Sequence, residues 1–228
     1  MRLTAALLMM VIAVIAASGG TLYEQSLARL LENRFQRDGI AWLLLDIETG
    51  RVIASRWTGA EMRLPVGSLA KPFMAVNYNG PYPRHTCRPG QCWLPRGHGT
   101  IGIVHAIAQS CNSYFRRIAP GSEWTASPIE VARAYSNLIS NRRAGPVLQG
   151  MRESARQGTG KAIAADALVK TGTASCTHRK GVPGDGYAAV LYPADSPRYV
   201  LVVQRHGAPG SKAAESAGEI LRVMQAGR

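Results

Sequence analysis

Ser68 and Lys71 stand three positions apart in "PVGSLAKPF", residues 65–73. Positions i and i+3 of a helix share one face. A hydroxyl and an amine held there could share a proton, which turns a weak nucleophile into a strong one. Surface helices also carry this pair by chance, so alone it decides nothing. Two further runs follow in order: "SCN" at Ser110–Asn112 and "KTGT" at Lys170–Thr173. A lysine can act as a base only when neutral, yet a free one titrates near ~10.4. Partial burial and a second cation, Lys170, would both push Lys71 downward.

Other reactive residues read more plainly. Cys87, Cys92, Cys111 and Cys176 allow three pairings if all are oxidised. "CRPGQC" closes a small loop over a Pro-Gly turn, so Cys87–Cys92 is the disulfide candidate. A zinc site would recruit His85 and His98, but the tight paired-ligand spacing of such a site is missing, so no metal and no other cofactor is expected. His98 reads as a loop hydrogen-bonder, and Cys111 as buried or paired rather than nucleophilic. "GTGK" at 158–161 invites a phosphate-loop reading. It lacks the upstream Gly and has Ala162 where Ser or Thr belongs, so that reading fails.

These residues need elements to hold them. Leu22, Leu27, Leu30, Leu31 and Phe35 recur at helical spacing before Gly39. "AWLLLDIETGRVIASRW" predicts two strands around a tight turn. The Ser68 segment opens a helix in which Pro72 fits only the first turn. A Pro/Gly/Cys-rich loop runs from Asn79 to Gly99, then a helix from Ile101 to Gln109. Ser127 to Glu130, "SPIE", carries the capping signature of a helix start. Ile129, Ala132, Tyr135, Leu138 and Ile139 give that helix its apolar face. "ALVKTGTAS", "YAAVLYP" and "RYVLVVQRH" predict three strands separated by "RKGVPGDG" and "ADSP". A helix from Ser211 to Gln225 closes the chain, with Ala213, Ala217, Ile220, Leu221 and Met224 inward. Short turns between strands imply antiparallel pairing. The expected class is α+β: a five-stranded antiparallel sheet, helices from both termini, and a reduced helical lobe inserted between strands two and three.

The 228 residues suit one domain or one with a sub-domain, and 46% hydrophobic content is enough for a core. The net charge of +13 favours an anionic neighbour, such as a wall polymer or membrane surface. No nucleic-acid-binding signature accompanies it, so nucleic acid is not an expected partner. Arg2, the apolar run Leu3–Ala17 and the small residues after it read as an export signal, or as an anchor if the run is counted on to Tyr23. Residues 1–20 are therefore expected to send the domain 21–228 to the periplasm or cell envelope.

Ser-x-x-Lys, then Ser-x-Asn, then Lys-Thr-Gly is the motif order of penicillin-binding proteins and class A β-lactamases. The likeness extends to "CRPGQCWLPRGHGTIGIVHAIAQSCNSYF", "SPIEVARAYSNL" and "GDGYAAVLYPADSPRYVLVV", which resemble elongation-type class B penicillin-binding proteins over roughly residues 40 to 225. The resemblance implies a serine D,D-transpeptidase or D,D-carboxypeptidase on peptidoglycan stem peptides, acylated by β-lactams. It assigns Ser68 as nucleophile, Lys71 as base, Ser110 as proton relay and Lys170 as a cation for the substrate carboxylate. Asn112 would hold the substrate amide. Thr171 and Thr173 would bind the carboxylate, and Gly172 would leave room along the strand. Backbone N–H groups of Ser68 and Thr173 would form the oxyanion hole. Ser110 and Lys170 are closer in sequence than in larger enzymes of this kind, which implies a trimmed lobe and an open cleft. Cell-wall proteins would be further partners. Two alternatives remain: a β-lactamase, for which no deacylating Glu motif is visible and against whose class D form Asn112 argues, and a non-turnover β-lactam or muropeptide sensor or scaffold.

Overall fold

The computed structural model describes residues 21–36, 39–121, 124–175 and 184–226. The segment 1–20, Cys176 and most of the "RKGVPGDG" turn lie outside the described residues. The first helix, α1 (Leu22–Arg34), starts at Thr21 with a capping box to Glu24. Strands β1 (Ile40–Asp46) and β2 (Val52–Arg56) follow. After β3 (Leu64–Pro65) and a 3-10 turn at Gly67–Ala70 come α2 (Lys71–Val76), β4 (His85–Cys87), β5 (Gly99–Ile101), α3 (Ile103–Ala108) and α4 (Asn112–Ile118). The lobe ends with β6 (Thr125–Ala126), α5 (Pro128–Leu138) and α6 (Gly145–Gln157). Strands β7 (Leu168–Ala174), β8 (Asp185–Tyr192) and β9 (Tyr199–Arg205) precede the last helix, α7 (Gly210–Ala226).

The expected sheet is present: five strands, all antiparallel, in the order β2-β1-β9-β8-β7. Its strands look like continuous apolar runs because both faces are covered. Leu43, Leu45, Ala189, Leu191, Val200 and Val202 pack under the lobe. Their alternates Trp42, Leu44, Val190, Leu201 and Val203 pack under α1 and α7. Period-2 alternation therefore disappears from the hydropathy and survives only in the division of side chains between two cores. β7 is an edge strand.

Several expectations need correcting. Leu22 is 82% exposed and Leu30 is also exposed, so α1 presses inward only with Leu27, Leu31 and Phe35. Ser68 lies on the 3-10 turn, three residues before the α-helical segment that opens at Lys71. The lobe also holds a helix that the sequence did not signal, α6. It crosses α3 so closely that a Cβ on Gly150 would sit 2.7 Å from Val104 O and Ile107 Cβ. The Ser127–Glu130 capping box is present as expected. No helix among the described residues is long and apolar enough to cross a membrane.

Candidate active site

Three elements converge under one cleft of about 510 Å³. Ser68, Ser110, Asn112, Thr171, Gly172 and Thr173 all line it. The 3-10 turn presents Ser68 to the cleft, and the backbone N–H of Lys71 bonds to Ser68 O. Gly67 makes the turn feasible. Its φ is +51° and a Cβ there would lie 2.6 Å from Thr173 O, so only glycine lets the turn abut β7. Tyr135 of α5 holds the turn from behind by donating its hydroxyl to Leu69 O at 2.8 Å.

Ser110 joins α3 to α4 in the left-handed region, φ +50°, rare for a residue with a side chain. Lys71 Nζ donates to the carbonyl of Ser110 at 2.7 Å, to its Oγ at 3.2 Å and to Asn112 Oδ1 at 2.5 Å. Lys170 Nζ donates to the same Ser110 Oγ at 2.8 Å and to Thr171 O at 2.6 Å. Both lysines are buried, Lys71 5% and Lys170 0% exposed, and neither has a carboxylate partner among the described residues. Burial pushes Lys71 down to about 8, against the upward pull of the Cys92 and Cys111 thiols and with a small push from Arg116. Burial, and then the charge of Lys71, push Lys170 well below the ordinary lysine value. Burial thus lowers Lys71 as expected, whereas the charge effect acts the other way round: Lys170 is the lysine that feels its neighbour's charge. Lys170 is not among the residues that line the cleft; its ammonium lies behind them, bonded to Ser110 and Thr171.

The disulfide expectation fails in the structure. Cys87, Cys92 and Cys111 are free thiols, and Cys92 Sγ faces Cys111 Sγ at 3.9 Å rather than Cys87. Cys87 Sγ instead lies 3.6 Å from His98 Nδ1. Ligand atoms of Cys87, Cys92, His98 and Cys111 all fall within 4.8 Å of one another. A tetrahedral zinc with Zn–S near 2.3 Å and Zn–N near 2.0 Å has S–S edges of about 3.8 Å and S–N edges of about 3.5 Å. The donor set and spacing therefore fit zinc, against the expectation of no metal. Sequence spacing missed it because the ligands come from the end of β4, the loop after it and the Ser110–Asn112 turn. His85, the other proposed ligand, is elsewhere, bonded to Ser113 Oγ at 2.7 Å. Cys92 Sγ also accepts the Asn112 N–H at 3.2 Å. Burial raises its thiol pKa, but the N–H groups of Ser113, Asn112, Leu94 and Trp93 outweigh that and lower it.

No family model matches the sequence, and no curated protein matches it either. Solved structures do. The D,D-transpeptidase domain of a peptidoglycan glycosyltransferase from Eggerthella lenta superposes with a TM-score of 0.71 at 13% identity, over 90% of this chain and 81% of that one. Penicillin-binding protein PBP2 from Helicobacter pylori, solved in complex with MreC, gives 0.72 at 13% identity, over 88% of this chain and 62% of that one. The transpeptidase domain of FtsI4 from Legionella pneumophila gives 0.62 at 17% identity, over 91% and 98%. The chain has the fold of a penicillin-binding-protein transpeptidase domain. In that fold, the cleft described above runs along the edge strand β7, between the sheet and the helical lobe.

Proposed function

We propose that the chain is a serine acyl-transferase acting on D-Ala-D-Ala ends of peptidoglycan stem peptides. The observation that carries this reading is the convergence on Ser110 Oγ of two buried lysines, without a carboxylate partner among the described residues, beneath a cleft lined by Ser68. Such lysines are neutral at accessible pH and can move protons. Ser68 Oγ attacks the carbonyl between the two D-alanines, and its proton passes to neutral Lys71. N–H groups of Ser68 and Thr173, brought together by Gly67, stabilise the oxyanion; one such donor is worth roughly 3–4 kcal/mol in a well-studied protease. The C–N bond breaks, and the departing amine takes the proton through Ser110, which both lysines keep aligned. Asn112, its Oδ1 held by Lys71, has its amide N–H groups for the substrate carbonyl. Thr171 and Thr173 supply hydroxyls for the terminal carboxylate. The donor lies along β7, adding a strand to the free edge, with Gly172 allowing close approach.

The cleft residues include no carboxylate among those described. That favours a long-lived penicilloyl-enzyme over a β-lactamase, which needs a base for deacylation. The Cys87, Cys92, His98 and Cys111 set would hold one zinc ion. Four protein ligands leave no open position, so the metal would tie the loop after β4 to the Ser110–Asn112 turn and supply no Lewis acid. Export by residues 1–20, a place in the cell envelope and partner proteins of the wall machinery belong to the same proposal. The chain should form a stable adduct with a fluorescent penicillin, and Ser68→Ala should form none. A folded wild type that neither labels nor hydrolyses penicillin would leave only a scaffold role.

A further inference from the structure

Among the described residues that line the cleft, Lys161 alone carries a charge. It follows Gly158–Gly160, the run that fails as a phosphate loop, and opens a 3-10 turn, Lys161–Ile163. That run is a wedged ledge rather than a loose loop. A Cβ on Gly158 would meet Ala108 O at 2.2 Å, and one on Gly160 would meet Val169 Cγ1 at 2.6 Å. Thr159 N–H donates to Ala108 O at 3.1 Å, and Ile163 is fully buried against α7, where Gly218 approaches its carbonyl. Thr171 Oγ1 donates to Thr159 Oγ1 at 2.6 Å, which fastens the ledge to β7. The junction lies on the Thr171 side of the cleft, where Lys170 and Ser110 would deliver a proton to the departing amine. Lys161 is exposed, and its ammonium has neither an ion pair nor a side-chain hydrogen bond among the described residues.

We propose that Lys161 selects the acceptor of the acyl group: an amine whose own carbon bears a carboxylate. The inference rests on the acyl-transfer reading above. The first half-reaction releases D-alanine, an amine and a carboxylate on one carbon. The place it vacates, beside Thr171, Thr159 and Lys161, suits another molecule with that same pair. In the second half-reaction the neutral acceptor amine attacks the Ser68 ester carbonyl. A C–N bond forms, the C–O bond to Ser68 breaks, and the proton lost by the amine goes to Ser68 Oγ through Ser110 and Lys71. No redox partner is needed. A carboxylate on the acceptor's amine-bearing carbon would sit against the Lys161 ammonium, and an acceptor without one would leave that ammonium unpaired. Lys161 thus favours α-amino-acid acceptors, including a diamino-dicarboxylic side chain, over a simple alkylamine such as the end of a lysine side chain.

The test uses the full chain, a thioester donor of an N-acyl-D-alanine, and D-alanine or D-alaninamide as acceptor at equal free-amine concentration. The partition of one acyl-enzyme between water and amine is read from the products, so it does not depend on how fast the acyl-enzyme forms. D-alanine should outcompete D-alaninamide by about tenfold, the scale of one charge-assisted contact. In Lys161→Gln the preference should fall to near unity, while Lys161→Arg should keep most of it. Equal partition in the wild type, an unchanged preference in Lys161→Gln, or hydrolysis with no amine capture would each overturn the assignment of Lys161. Absence of any acyl-enzyme from thioester and penicillin alike would instead remove the acyl-transfer reading on which it rests.

Discussion

The turn Ser110–Asn112 divides two buried clusters of opposite character. Ser110 and Asn112 look toward Lys71 and Lys170; Cys111, between them, looks toward Cys92, Cys87 and His98. Burial is the leading effect on both sides. On the lysine side it favours the neutral amine, a usable base, and needs no added partner. On the thiol side it raises Cys111 to about 12, with the neighbouring thiols pushing the same way. Those thiols become ligands only if a cation compensates them. One turn is thus held from one face by amines that have no carboxylate partner among the described residues, and from the other by thiols that call for a cation.

Removing the base should break the lysine side most severely. Lys71→Met keeps an apolar stem in the same space but takes away the proton acceptor. Penicillin acylation should slow by about 10²–10⁴-fold, the usual range for a lost general base, read from a labelling time course. A slowdown under tenfold would mean that Lys170, the other lysine on Ser110, is the base. The intact enzyme should also show its base in the pH profile. Lys71 is protonated below about 8 and cannot accept the Ser68 proton. Labelling should therefore rise roughly tenfold per pH unit up to about 8 and level off above it. A flat profile between pH 6 and 9 would contradict a Lys71 base.

Metal removal tests the thiol side. Protein refolded with zinc should carry one equivalent per chain by elemental analysis, and Cys111→Ser or Cys92→Ser should carry much less. Chelation should lower Tm by roughly 5 °C or more, since metal binding to the native state adds directly to its stability. It should slow acylation less than Lys71→Met does, because zinc would orient the turn rather than handle protons. Zinc-free wild type with unchanged Tm would reduce the cluster to packed thiols.

What the sequence disclosed follows this division. The catalytic candidates were legible because each motif is local: Ser68 and Lys71 one turn apart, Ser110 and Asn112 flanking one residue, Lys170 to Thr173 along one strand. The strands were legible as apolar runs even though their alternation was masked by two cores. The thiol cluster was not legible because its order in space differs from its order in sequence. Cys87 and Cys92 frame an inviting small loop, yet Cys87 turns to His98 and Cys92 to Cys111. The crowding of three Cys and two His, His98 and His105, between positions 87 and 111 was the available signal. The cleft-lining place of Lys161 was hidden for a related reason, because the ledge that carries it is defined by contacts with α3, β7 and α7.

Helix α6 was missed on different grounds, and it supports the smallest of the effects. Of its buried residues only Val147 and Met151 are large; Gly150, Ser154 and Ala155 are small and make a weak apolar signal. That smallness is what lets α6 press on α3, the helix that ends at the Ser110 turn. A Cβ at Gly150 would sit 2.7 Å from Val104 O, a backbone atom that cannot rotate away. Gly150→Ala should therefore force the helices apart despite alanine's better helix propensity, costing about 1–3 kcal/mol, as overpacking commonly does. For a chain of this size that is a Tm loss of a few degrees, measurable by calorimetry. If α3 carries the displacement to Ser110, penicillin acylation should slow severalfold, well short of the Lys71→Met loss. A lower Tm with unchanged acylation would mean that the Ser110 turn is held by its two clusters alone. A higher Tm would mean that α6 has room to move and that propensity outweighs the close approach.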